Sequence, residues 1–243
     1  MKLVRLVAKH RSLGRTAALR AIAAGRVVVD RRTTSDAALD VDRFAMVLLD
    51  NEVVQPGARA LYLMLHKPAG VVSATTDPEH PTVIDLIDDP DKHTLHIAGR
   101  LDRATTGLVL LTNDGRWSKR ITEKAFECPK TYLVETRDPI APDAVEIFAR
   151  GFHFHTENIT TRPADLEILD THLARLTLRE GRYHQVKRMF HRVNNRVVRL
   201  HRESIGLIVL PSDLEPAQWR PLRQEEIESV GLSLYSPRQE PQR

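Results

Sequence analysis

The sequence has one cysteine, Cys128, in 243 residues, which excludes an intramolecular disulfide and leaves the fold to its apolar core. Its opening residues lack a charged, then apolar, then small-residue leader pattern, so a reducing cytoplasm is the expected location. The longest apolar runs, such as Leu108 to Leu111 and Ala60 to Leu65, fall far short of the roughly 20 residues that span a bilayer, so no membrane partner is expected. There is no zinc-type Cys/His spacing and no phosphate-cradling glycine-rich loop, so the expected metals and cofactors are none. His153 and His155 alternate in an expected strand and need not be ligands. Internal repeats and low-complexity tracts are also lacking.

Net charge is small at +4, but it is unevenly spread. Residues 1–32 hold nine Lys or Arg against Asp30, and residues 175–202 hold nine against Glu180, so each segment carries +8 and the other 183 residues carry −12. Counterion release on binding a polyanion depends on local charge, so two basic segments on an acidic background suit phosphate recognition. Two solvated basic faces would show the same composition.

Three regions are expected: 1–57, 58–232 and a polar tail at 233–243. In the first, Leu13 to Ala24 reads as a helix with Leu19, Ile22 and Ala23 on one side, stopped by Gly25. Strands follow at Val27–Val29 and Ala45–Leu49, and Gln55-Pro56-Gly57-Ala58 reads as a linker. Together, Lys2-Leu3-Val4-Arg5-Leu6, Gly14-Arg15 and Gly25-Arg26-Val27-Val28-Val29-Asp30 resemble the S4 RNA-binding module. That resemblance implies phosphate contacts from Arg11, Arg15, Arg20 and Arg26, which position RNA without reading its sequence.

Beyond residue 57, strand-like runs (61–66, 107–112, 131–135, 173–179, 205–210) outnumber helical ones (142–149, 182–193) without regular βαβ alternation. An α+β fold on a mainly antiparallel, mixed sheet is expected. Asn113-Asp114-Gly115 carries a turn signal, and Val186, Met189, Phe190 and Val193 form one apolar helical stripe, with Lys187, Arg188, His191 and Arg192 facing away.

Asp102 sits on a connection just before the buried run 107–112, where a rigid strand can fix an exposed side chain. A loop aspartate alone is more often a turn former or helix cap. The whole segment Gly99-Arg100-Leu101-Asp102-Arg103-Ala104-Thr105-Thr106-Gly107-Leu108-Val109-Leu110-Leu111-Thr112-Asn113-Asp114-Gly115, however, resembles a motif of the pseudouridine synthase family acting on ribosomal RNA, departing only at Val109. The resemblance implies that Asp102 is the nucleophile. Two further segments resemble the same family. In Lys130-Thr131-Tyr132, Tyr132 would stack on the uracil and handle the C5 proton; in Arg182-Tyr183-His184-Gln185-Val186-Lys187-Arg188-Met189-Phe190, Lys187 would pair with the aspartate. Arg100, Leu101, Thr105, Arg182, Gln185, Arg188, Leu200 and Ile205 would contact the substrate, Arg100 through the phosphate of an extruded nucleotide.

Within the family, the resemblance over residues 2 to about 230 is closest to the branch with an S4 module, and Asp77-Pro78-Glu79-His80-Pro81-Thr82-Val83 together with Arg182-Tyr183-His184-Gln185-Val186-Lys187-Arg188-Met189-Phe190 resembles members that modify 16S ribosomal RNA, which implies uridine 516 as the target. The expected partner is 16S ribosomal RNA or a small-subunit assembly intermediate, bound by a monomer. Alternatives are the same chemistry on 23S ribosomal RNA, a non-catalytic RNA-binding assembly protein, and a nucleoside glycosidase. The last would need a second carboxylate to activate water.

Overall fold

A computed structural model describes residues 1–230; the expected tail at 233–243 lies outside the described residues. The chain divides into two compact units, Met1–Ala60 and the remainder from Leu61.

In the first unit, α1 (Leu3–Lys9) and α2 (Arg15–Ala23) are followed by β1 (Val27–Val29), β2 (Arg32–Thr33), β3 (Met46–Leu49) and β4 (Glu52–Pro56), an antiparallel sheet ordered β2-β1-β3-β4. Leu3, Val7, Ala18, Ile22, Val27 and Val47 share one core. Gly25 ends α2 at φ +68°, where a residue without Cβ is least strained. Two expectations change. The buried side of α2 is Ala18, Ala21 and Ile22, with Leu19 exposed, because small residues allow close packing against α1. Gln55 and Pro56 are strand residues opposite Val47 and Met46 rather than a linker. The Gln55 amide donates to the carbonyls of Asp42 and Ala45, both at 2.7 Å, and this anchors the strand end.

The second unit is built on a nine-stranded mixed sheet. In chain order its elements are β5 (Tyr62–Lys67), β6 (His96–Ile97), β7 (Thr106–Thr112), α3 (Gly115–Thr122), β8 (Lys130–Thr136), α4 (Ala144–Arg150), the small separate hairpin β9 (His153–Phe154) and β10 (Ile159–Thr160), β11 (Asp165–Asp170), β12 (Leu173–Leu178), α5 (Gln185–Arg192), β13 (Val197–Ile205), β14 (Ile208–Val209), β15 (Trp219–Pro221) and α6 (Gln224–Ser229). The spatial order is β11-β12-β8-β13-β7-β5-β15, with β6 beside β7 and β14 beside β13. Every pairing is antiparallel except β13 with β7. The α+β expectation therefore holds.

The run Leu108–Leu111 is uninterrupted because β7 is covered on both faces. Val109 and Leu111 enter a core with Phe148, Met189 and Phe190, whereas Leu108 and Leu110 enter a second one with Met64, Trp117 and Ile121. The stripe of α5 thus meets the first core, and α3 covers the opposite face. Asp114 caps α3 instead of closing a hairpin, its carboxylate accepting from the backbone N–H groups of Arg116 and Trp117. The strand expected at 205–210 is broken at Gly206 (φ +59°), where β13 turns into β14.

Candidate active site

The connection from β6 to β7 carries Asp102, and two buried cations hold it, Arg202 by carbonyls before the aspartate and Lys67 by carbonyls after it. Lys67, at the end of β5, has no exposed surface; its ammonium donates to the carbonyls of Pro68 (2.9 Å), Arg103 (3.2 Å) and Thr105 (2.7 Å). Arg202 of β13 donates to the carbonyls of Leu108 (2.8 Å), Gly99 (2.8 Å) and Arg100 (3.4 Å). The loop thus spends its carbonyls on fixed donors, as buried backbone must. Ser73 Oγ accepts from the Leu101 N–H at 3.1 Å, and the Asp102 carbonyl accepts from the Thr105 N–H at 3.0 Å. Gly107 (φ +109°) admits the strand crossing, since a Cβ there would lie 2.3 Å from the Arg202 carbonyl oxygen.

Burial lowers the Lys67 ammonium to about 8; the Asp102 charge pulls it up, and Arg202 adds to the lowering. The environment therefore weakens this cation's hold on its proton, even though the cation is what grips the loop.

Held this way, the Asp102 carboxylate is partly exposed and meets α5. Lys187 Nζ donates to Oδ2 at 2.9 Å, and His184 Nε2 lies 3.4 Å from Oδ1. His184 precedes α5 in the left-handed region (φ 49°). The segment leading to it is pinned by Glu180, which is buried. Glu180 Oε1 accepts from the Arg162 N–H and the Gln185 amide, and Oε2 accepts from Arg182 Nε, each at 2.9 Å. The Gln185 amide oxygen in turn accepts from the Arg182 N–H at 3.0 Å.

Asp102, Arg100, Leu101, Thr105, Tyr132, Arg182, Gln185, Lys187 and Leu200 line one cleft with Leu178, Glu180, His184 and Val186. Tyr132 reaches it from β8 as a buried side chain, and Leu200 from β13. Thr105 Oγ1 is buried beside Asp102 with no hydrogen-bond partner among the described residues. The cleft offers one carboxylate open to a substrate, Asp102, since both oxygens of Glu180 are taken by Arg162, Arg182 and Gln185; beside it stand one ammonium, an aromatic wall and a spare hydroxyl. Among the described residues no group of His, Cys, Asp and Glu could hold a metal ion, and no helix is long and apolar enough to cross a membrane.

Other expected contacts lie elsewhere. Ile205 is fully buried in the second core with Met64, Leu108 and Ile208, because the turn at Gly206 folds β14 over it; it does not line the cleft. Arg188 lies outside the cleft as well, where both its terminal nitrogens donate to Glu157 at 2.7 Å and its guanidinium sits 3.7 Å from the Phe154 ring centroid. Gln185 lines the cleft, but both ends of its amide are used by the Glu180 network. In the first unit Arg11, Arg15, Arg20 and Arg26 are all exposed; Arg11 pairs with Glu52 and Arg26 with Asp50. Lys67, Arg202, Glu180 and His184 were not singled out from sequence. The only local sign of Lys67 is a cation closing an apolar run, which solvated lysines also do.

The model of the family described as RNA pseudouridylate synthase matches residues 61–192. Over 230 residues, 95% of this chain and the whole of the relative, the chain is 51% identical to the ribosomal small subunit pseudouridine synthase A of Pseudomonas aeruginosa. It is 47% identical to the protein of the same name from Escherichia coli, with the same coverage. A crystal structure of a pseudouridylate synthase superposes with a TM-score of 0.69 at 40% identity, covering 95% of this chain and 99% of that one.

Proposed function

The chain belongs to the RNA pseudouridylate synthase family, and on that premise we propose that it isomerises a uridine of 16S ribosomal RNA, uridine 516, to pseudouridine with Asp102 as nucleophile. The observation carrying this reading is the Asp102–Lys187 pair at 2.9 Å in a cleft walled by Tyr132. An adjacent ammonium on Oδ2 orients the carboxylate toward the cleft.

The reaction breaks the N1–C1′ bond, turns the uracil over and forms C5–C1′, the proton leaving C5 and an equivalent one ending on N1. Asp102 can attack C1′ and leave on reclosure, or attack uracil C6; both return the carboxylate unchanged. Tyr132 offers a ring face to the base and a hydroxyl for the C5 proton. The unpartnered Thr105 hydroxyl is available to the extruded nucleotide, and the exposed Arg100 guanidinium to its phosphate. Water is not a reactant, which fits a site whose other carboxylate, Glu180, is held by Arg162, Arg182 and Gln185 and is not left to activate one.

We further propose that residues 1–57 act as an S4-type RNA-holding module. All the groups named belong to one chain, so a monomer suffices. The test is tritium release from 16S ribosomal RNA carrying 5-tritiated uridine, followed by mapping of the product. Asp102→Asn, nearly isosteric, should bring release to background; turnover at the wild-type rate in that variant refutes the reading.

A further inference from the structure

Next to the nucleophile, the surface carries an aromatic side chain that the chemistry above does not use. Tyr183 is 73% exposed, the highest value among the described large apolar and aromatic side chains. Its ring lies on that of His184, with centroids 3.8 Å apart and planes inclined by 19°. His184 in turn approaches Asp102 Oδ1 at 3.4 Å. A stacked pair therefore leads from open solvent to the reacting carboxylate, its inner ring against Asp102 and its outer one free.

The surroundings of that outer ring are selective. The groove containing Tyr183 and His184 is also lined by Arg100, Arg103 and Arg182, and Asp102 is its one carboxylate. Arg182 is tied to Glu180 and Arg103 to His80, which fixes two of these cations in the groove. The Glu180 network immobilises the chain on both sides of Tyr183, through Arg182 and Gln185. The positive φ of His184 sets the direction of the pair. An exposed aromatic ring face in a groove shared with the guanidinium groups of Arg100, Arg103 and Arg182 matches a nucleobase and its phosphates, since proteins bind single strands by stacking and charge together.

We propose that the Tyr183–His184 stack is a nucleobase platform, on which the base next to the target uridine in a single-stranded RNA segment stacks while the target enters the cleft. This rests on the RNA-modifying reading of Asp102. Stacking a neighbour there compensates for the stacking lost when the target leaves its place. It also fixes which nucleotide reaches Asp102, because the stacked base and the target are neighbours in the strand.

The test uses the full chain and a 16S ribosomal RNA fragment with 2-aminopurine on either side of uridine 516. Wild type should quench one of the two positions on binding. Tyr183→Ala should abolish that quenching, weaken RNA binding and raise KM by about 5- to 150-fold, the range for loss of one stacked base, with kcat at saturating RNA nearly unchanged. Tyr183→Phe and Tyr183→Trp should keep both properties. Wild-type quenching and KM in Tyr183→Ala, or losses in Tyr183→Phe as large as in Tyr183→Ala, overturn the platform. Failure of the catalytic reading is separate: it appears as no tritium release by wild type, and the binding and quenching comparison still decides the platform.

Discussion

Replacing Lys67 with methionine keeps the stem of the side chain and removes the ammonium gripping the Asp102 loop. Three carbonyls, of Pro68, Arg103 and Thr105, lose their donor, at a cost of about 1–2 kcal/mol each, or about 3–6 kcal/mol together. Against this, the variant no longer buries a charge. The fall of Lys67 from 10.5 to about 8 corresponds to roughly 3 kcal/mol at about 1.4 kcal/mol per unit. The net loss of global stability is therefore small, about 0–3 kcal/mol, because the two effects oppose each other. Catalysis has no such compensation, since a carboxylate displaced by about 1 Å costs on the order of 100-fold in rate. Lys67→Met should thus remain folded in a urea titration and lose about 100-fold in kcat for tritium release. The same cation sets a pH dependence. Lys67 loses its proton near pH 8 in the folded chain and near 10.5 when unfolded, so between these values the unfolded state holds more protons and stability rises with pH. Activity should fall across the same window as the grip weakens, and Lys67→Arg should remove that fall wherever it folds. A kcat for Lys67→Met within threefold of wild type would show that the clamp does not position Asp102.

Two other variants probe the scaffold around the same carboxylate. Glu180→Gln replaces one of the oxygens that accept from Arg162, Gln185 and Arg182 with an amide donor and leaves Arg182 without its partner. It should cost about 3 kcal/mol in urea denaturation and raise KM, and an unchanged midpoint would remove the network from the account. Gly107→Ala places a methyl group against the backbone of Arg202, in a left-handed conformation besides. Loss of about 3 kcal/mol or more, or failure to accumulate folded protein, is expected, and a melting temperature equal to wild type would contradict the close β7–β13 contact.

Elements defined by burial alone were legible along the chain. The apolar run of β7 and the stripe of α5 each show their surroundings in their own residues, because one is covered on both faces and the other on one. Turn chemistry was less reliable. Asn113-Asp114-Gly115 has the composition of a hairpin turn, yet Asp114 caps α3, since the same carboxylate can accept from a turn or from a helix start. Gln55 and Pro56 look like a linker, but side-chain bonds to Asp42 and Ala45 and pairing with β3 make them a strand end.

What the sequence by itself determined about this protein was the α+β class and a family motif centred on Asp102, because periodicity and a long contiguous motif are properties of neighbouring residues. Only the tertiary structure decided the environment of that aspartate. It brings Lys187 and His184 to separate carboxylate oxygens, buries Lys67 and Arg202 beneath the loop, moves Ile205 into the opposite core and leaves Tyr183 outside. Those residues lie 35 to 103 positions from Asp102, on elements whose facing is set by packing. A buried cation and a solvated one are the same letter until the chain has closed around them.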